Sequence, residues 1–171
     1  MIQEGDATGF WFAAKTRFGQ EISIKRKLEQ LGIQHFIPTR MKKNYRNQNR
    51  EHPVISNLVF IRTTKQEATS LKTELGLPLN YMFDYISHTM LVVPDKQMED
   101  FQRVFEVSME EGGLMDQPLE IGDKVRVAQG ALKGVDGNVL EIQGQYYVVV
   151  SLCGSIFARA KVPRAFLEFS K

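Results

Sequence analysis

The stretch Gly-Asp-Lys-Val-Arg-Val at residues 122–127 decides the fold of the C-terminal third of the chain. Its alternation puts the two valines on one face of a strand and the charged side chains on the other. Further short apolar segments follow up to residue 169, and turn residues separate them, namely Gly130, Gly134, Asp136, Gly137 and Gly144. Five short strands within about 50 residues predict a small barrel over 121–171.

Upstream of this barrel, strand-like and helix-like patterns alternate. Apolar runs rich in aromatic and β-branched residues predict strands, apolar spacings of three to four predict helices, and Gly32 is a natural helix end. The predicted strands lie at 10–14, 35–38, 54–61 and 90–93, and the predicted helices lie at 22–31, 65–75 and 94–105. This order predicts an α/β layer fold over 1–107 with mixed or antiparallel strand pairing. Residues 108–120 lack periodicity and predict a flexible linker.

Composition narrows the class of protein. With 43% hydrophobic and 25% charged residues, the chain is typical of globular proteins. The single cysteine, Cys153, excludes an internal disulfide and a cysteine zinc cage, and the three histidines lack metal spacing, so we expect no metal and no cofactor. No apolar run approaches the roughly 18 residues that span a bilayer, and the acidic start lacks a signal pattern. We therefore expect a cytoplasmic protein with no membrane partner.

Catalysis has little support in the sequence. The carboxylate pairs Glu99-Asp100 and Glu110-Glu111 fall on a predicted helix and in the predicted linker. A phosphate-cradling glycine loop, a nucleophile elbow and a metal cluster are all missing from the sequence. The sequence therefore predicts a protein that is not an enzyme.

Charge is divided unevenly along the chain. Residues 1–62 hold 11 Lys and Arg against 5 Asp and Glu, residues 63–115 hold 4 against 9, and residues 116–171 hold 7 against 6. The basic N-terminal part favours a polyanion partner, and a solvated surface is the open alternative. Its basic side chains form two clusters, Lys15, Arg17, Lys25, Arg26 and Lys27, then Arg40, Lys42, Lys43, Arg46 and Arg50. The second cluster lies in a polar stretch, 40–52, that we interpret as an exposed hairpin.

Two sets of residues resemble one known family. Residues 122–139 resemble a KOW motif, with Ala131 where a proline is usual. Trp11-Phe12, followed by Gly19 and an amphipathic helix, is similar to the opening of NusG-type (NGN) domains, and residues 57–61 occupy the position of their Pro-Gly-Tyr-Val-Phe element. The chain therefore resembles a NusG-type transcription factor over 10–169. The resemblance implies the α+β class, with an NGN α/β sandwich that has a mainly antiparallel sheet, followed by a small SH3-like KOW barrel. Within the family, residues 17–20 and 57–60 look most like the specialised UpxY and RfaH factors.

The resemblance implies a function and a set of contacts. Such factors bind RNA polymerase at its clamp helices and suppress pausing and premature termination, and UpxY-like factors serve capsular polysaccharide operons. By position, the polymerase-binding residues are Ile55, Leu58, Phe60 and Lys15, although Leu58 and Phe60 also fit the core of a strand. The residues facing the non-template DNA strand are Arg17, Phe18, Lys25 and Lys27, for which an ordinary solvated helix face is the alternative.

The predicted barrel supports two further hypotheses about function. In the family it can hold a ribosomal protein or Rho, but Cys153 stands where an aromatic residue is usual. The second reading is a KOW-containing RNA-binding protein of the ribosomal or ribosome-assembly class. Such a protein is expected to carry its basic charge in the barrel, where this chain has 7 basic against 6 acidic residues.

Overall fold

The computed structural model describes residues 9–111, 122–154 and 156–170. It divides into two compact units, Met1–Pro94 and Asp95–Lys171. Helices and sheets occur together, and every strand pair among the described residues is antiparallel. The predicted α+β class is therefore confirmed. Within the described residues, helices fall short of the length and apolar character needed to cross a bilayer.

Among the described residues, the first unit contains two helices and nine strands. Its helices are α1 (Glu21–Leu31) and α2 (Lys65–Thr73). Its strands are β1 (Phe10–Thr16), β2 (Gln34–Phe36), β3 (Thr39–Lys43), β4 (Asn49–Pro53), β5 (Leu58–Thr63), β6 (Leu79–Tyr81), β7 (Phe83–Asp84), β8 (Thr89–Met90) and β9 (Val92–Val93).

The main sheet of this unit has the order β2-β5-β1-β6, and β9 also pairs with β1. One face carries Phe12, Ala14, Val59 and Ile61, which pack in a core cluster with buried residues of both helices. Helix α1 forms because Ile24 and Leu28 are buried on one stripe, and it ends at Gly32, whose φ of 68° is the left-handed conformation that glycine adopts easily. Strands β3 and β4 form a separate hairpin, as do β7 and β8.

The structure differs from the sequence predictions at two strand ends. Val54 and Ile55 were expected to open β5, but they lie in a turn before it. Asn57 ends this turn with a φ of 61°; its carbonyl accepts from the Thr16 N–H at 3.1 Å and its N–H donates to Glu21 Oε1 at 2.6 Å. These bonds fix a bend that a continuous strand cannot make. The strand predicted at 90–93 is likewise split into β8 and β9.

The second unit is a helix packed on a five-stranded sheet. It contains α3 (Asp95–Glu111), β10 (Lys124–Val127), β11 (Asp136–Ile142), β12 (Gln145–Leu152), β13 (Ile156–Lys161), a 3₁₀ turn (Arg164–Phe166) and β14 (Leu167–Phe169). The sheet order is β13-β12-β11-β10-β14, and α3 contacts β12 and β13.

Polar contacts join α3 to this sheet. Asp100 Oδ2 accepts from the Asp136 N–H at 3.1 Å and from Lys96 Nζ at 2.5 Å. Arg103 donates to the carbonyls of Ala131 and Lys133 at 3.0 and 2.8 Å. These bonds and the buried side chains of Met98, Phe101 and Val104 hold α3 against this sheet. The boundary between the two compact units therefore lies before α3.

The sequence placed domain boundaries at 107 and 121, with a linker at 108–120. Residues 108–111 form the last turn of α3. The rest of that linker lies outside the described residues. The division into domains 1–107, 108–120 and 121–171 stays a prediction. The boundary between the two compact units of the structure lies after Pro94.

Candidate functional site

Strand β5 carries two of the residues predicted to bind polymerase. It lies between β1 and β2 in the sheet, and this central position leaves Leu58 9% and Phe60 0% exposed. The ring of Phe60 lies 6.2 Å from that of Phe36 on β2. Both side chains are therefore buried in this structure, which fits the alternative of core strand residues. Their role as docking residues stays a prediction.

Lys15 and Ile55 lie at the edge of this strand. The register of β1 against β5 pairs Lys15 with Leu58, and Lys15 is exposed. Ile55 is half-buried in the turn before β5. The structure thus brings Lys15 directly beside Leu58, while Ile55 is separated from the strand by the bend at Asn57.

The turn between β1 and α1 carries Arg17 and Phe18. Both are exposed, and Phe18 keeps 86% of its surface accessible. The turn is closed by a bond from the Gln20 N–H to the Arg17 carbonyl at 3.1 Å, and Gly19 adopts a φ of 76°. Lys27 is exposed on α1, which starts two residues after this turn glycine. A cation beside an accessible ring is the combination that binds a backbone and stacks a base of single-stranded nucleic acid.

Lys25 behaves differently from the other predicted nucleic-acid contacts. Its ammonium group forms an ion pair with Glu51 on β4, and its side chain is only 24% exposed. Glu51 also accepts from Thr39 Oγ1 at 2.5 Å. The hydrogen bonds from Lys25 and Thr39 lower the pKa of the Glu51 carboxyl, which keeps it charged. Lys25 therefore joins α1 to the β3–β4 hairpin, a contact across 26 residues that no local pattern reveals.

The β3–β4 hairpin brings together basic residues that the sequence analysis noted but did not assign to a site. Register pairs Arg40 with His52 and Lys42 with Arg50, and all four side chains are exposed. In antiparallel strands, directly paired residues lie on the same face, and alternate residues share it. We call these four residues the outer face of the hairpin. The signal in the sequence was the spacing of two between Arg40 and Lys42 and between Arg50 and His52.

The β7–β8 hairpin is a second exposed feature of the first unit. Tyr85 and Ile86 at its tip are 92% and 93% exposed. The Asp84 side chain holds the turn by accepting from the N–H groups of Ile86 and Ser87 at 2.7 and 3.1 Å. The apolar residues of this segment do not by themselves reveal that these side chains face solvent.

Comparison with known proteins gives one informative result. The family model described as "Transcription termination factor nusG" matches residues 9–102, which is more than half of the chain and includes β1 to β9. None of the curated proteins matches. A solved structure titled "Crystal Structure of MjSpt4:Spt5 complex conformation A" is similar over 94% of this chain and 97% of that chain, with 14% identity and a TM-score of 0.30. A TM-score of 0.30 supports no conclusion about this chain.

Proposed function

Since this chain belongs to the NusG family of transcription factors, we propose that it binds elongating RNA polymerase and suppresses pausing and premature termination. The observation that carries the proposal is the family match over residues 9–102, together with the exposed cation and ring at Arg17 and Phe18. The family consists of transcription factors rather than enzymes.

The finer part of the proposal is specialisation. Residues 17–20 and 57–60 look most like the UpxY and RfaH factors, and UpxY-like factors serve capsular polysaccharide operons. Residues 17–19 form the exposed turn between β1 and α1, where a factor with its own DNA preference needs variable contacts. We propose a capsular polysaccharide operon as the target.

RNA polymerase, through its clamp helices, is the proposed protein partner. Of the four candidate residues, Lys15 is exposed and Ile55 half-buried, whereas Leu58 and Phe60 are buried. Lys15→Glu is therefore the variant that tests the surface without touching the core. We expect a loss of about 1 kcal/mol, or about fivefold in affinity, which is the scale of an exposed charge contact.

The matched control for this test is Lys65→Glu at the start of α2, which is also exposed and makes the same change in charge. Affinity is measured with immobilised core RNA polymerase and the purified full chain. Equal binding by the two variants contradicts a contact at Lys15. Recovery of ribosomal particles instead of polymerase from cell extract contradicts the whole proposal and supports the ribosomal alternative.

The proposed nucleic-acid partner is the non-template DNA strand. Arg17 and Lys27 supply charge for its backbone, and Phe18 supplies a stacking surface. Crosslinking of this strand on a paused polymerase complex is expected to fall in the double variant Arg17→Glu, Lys27→Glu. The control is Lys124→Glu with Lys133→Glu in the second unit, since both lysines are exposed. Crosslinking that is unchanged by the first pair excludes this surface.

The barrel partner is the least constrained part. Ribosomal protein or Rho binding through 121–171 is proposed only by analogy with the family. Cys153, in place of the usual aromatic residue, is half-buried in the turn between β12 and β13. Pull-down of Rho or of a small ribosomal subunit protein by the full chain tests it, and a Cys153→Tyr variant is expected to strengthen whichever interaction exists.

A further inference from the structure

The outer face of the β3–β4 hairpin is a cationic surface. It consists of Arg40 paired with His52 and Lys42 paired with Arg50. In the described part of the chain, none of the side chains of Arg40, Lys42 and Arg50 forms an ion pair. The carboxylate nearest in sequence, Glu51, points to the opposite face and is held by Lys25 and Thr39.

This arrangement weakens the hairpin itself. Like charges directly opposite each other on two strands are destabilising. The pair Lys42 and Arg50 lies in this position at the exposed end of the ladder, with Lys43 beside it. Binding of a polyanion stabilises such a face, because contacts with phosphates replace the repulsion between like charges with attraction.

The charged face is held in place before any ligand arrives. At the tip, the Asn44 side chain accepts from the N–H groups of Arg46 and Gln48 at 2.9 and 3.0 Å. At the base, the Val54 N–H donates to the Pro38 carbonyl at 2.8 Å, and the Lys25–Glu51 pair joins the hairpin to α1. A surface that is already ordered binds without the entropic cost of fixing a loop.

We propose that this outer face binds the phosphate backbone of duplex DNA. A two-stranded ribbon fits the major groove of B-DNA, which is about 12 Å wide, and Lys and Arg are the side chains that contact its phosphates. This site is separate from the single-strand contact at Arg17 and Phe18, and it does not depend on the proposed polymerase binding.

Duplex DNA fits this face better than the other nucleic acids. Single-stranded binding uses aromatic stacking platforms, and the four outer-face residues include no aromatic ring. Tyr45 lies at the tip, outside the outer face, and has the guanidinium of Arg46 over its ring at 5.3 Å. Double-stranded RNA has a deep and narrow major groove that a ribbon does not enter.

The test is fluorescence anisotropy of the full chain with a labelled DNA duplex of arbitrary sequence, measured across a salt series. The variant is Arg40→Gln, Lys42→Gln, Arg50→Gln. Loss of three phosphate contacts is expected to reduce the slope of log K against log salt by about 2.7, so that between 50 and 200 mM salt the wild type loses about 40-fold more affinity than the variant does.

The control variant is Lys65→Gln, Lys72→Gln, Lys124→Gln, which removes the same charge from exposed positions elsewhere. We expect its salt slope to differ from that of the wild type by no more than the contribution of about one phosphate contact. An equal reduction of the salt slope in both variants means that duplex binding depends only on the net charge of the chain, and it overturns the proposal. Unchanged duplex binding with lost binding of a labelled single-stranded DNA or RNA overturns it as well. Because no polymerase is present, failure here leaves the proposed function standing.

Discussion

Strand β5 and the β3–β4 hairpin are separated by four residues in the chain but differ completely in exposure. Five of the six residues of β5 are buried, and Arg62 is the exception. None of the ten strand residues of the hairpin is buried. The conformation of β5 is determined by packing, and that of the hairpin by charge and turn geometry. Function can therefore change on the hairpin at little cost in stability, whereas almost any change on β5 affects folding first.

The sharpest test of this difference is truncation of one apolar side chain in each region. Phe60→Ala is expected to lower the free energy of unfolding by about 3–5 kcal/mol, because it opens a cavity at a fully buried position. Met41→Ala on the hairpin, where the side chain is 62% exposed, is expected to change it by less than about 0.5 kcal/mol. Urea unfolding followed by circular dichroism measures both. Similar losses in the two variants contradict the contrast between the regions.

The second test compares a buried tyrosine of the main sheet with the exposed tyrosine at the tip of the hairpin. The Tyr81 hydroxyl on β6 donates to the Ala68 carbonyl at 2.7 Å, and burial raises its pKa from 10 to about 12. Tyr81→Phe is expected to cost about 1 kcal/mol at neutral pH through the lost hydrogen bond. Tyr45→Phe, at a 90% exposed position, is the control and is expected to leave stability unchanged.

Tyr81 also predicts a pH dependence. Its pKa is higher in the folded than in the unfolded state, so its contribution is complete below pH 10 and is lost as the pH rises from 10 to about 12. The melting temperature of the wild type is expected to fall over this window, and that of Tyr81→Phe to fall less. Parallel curves for the two proteins contradict a buried, neutral Tyr81.

A smaller effect is expected at the contact that joins the hairpin to α1. Glu51→Gln removes the ion pair with Lys25 and is expected to cost about 0.5–1 kcal/mol at pH 7. The pKa of Glu51 is lowered from 4.5 in the folded state, so its contribution is present above pH 4.5 and is lost as the pH falls below that value. Glu29→Gln on the exposed side of α1 is the control. An equal acid-side decline in Glu51→Gln and wild type excludes this contribution.

The smallest effect on stability is expected for the outer face. Arg40→Gln, Lys42→Gln, Arg50→Gln removes repulsion between opposed strands, so the free energy of unfolding is expected to stay equal or to rise by up to about 0.5 kcal/mol. The rise is larger at low salt, where exposed charges are less screened. Differential scanning calorimetry at two salt concentrations measures it. A clear loss of stability shows that these side chains support the hairpin rather than a ligand.

Local patterns predicted most of the elements correctly. The strand at 10–14 and the helix ending at Gly32 are present as β1 and α1, because their apolar periods and the glycine end signal act over a few residues. The turn at 54–57 was missed because its bend depends on bonds from Asn57 to Thr16 and Glu21, which are remote in sequence. The residues of the candidate site show the same difference between local and long-range effects. Phe18 is exposed as a loop residue should be, whereas the engagement of Lys25 by Glu51 required the hairpin to be in place.

The sequence by itself determined the α+β class, the alternation of β10 that buries Val125 and Val127, and the basic excess of the first 62 residues. The tertiary structure alone decided that both faces of β5 are buried and that Arg40, Lys42 and Arg50 share one face. Alternation and composition are properties of neighbouring residues, so they can be read along the chain. Register is set by turn geometry and by pairing across the hairpin, and a shift of one residue reverses the face of every side chain on a strand.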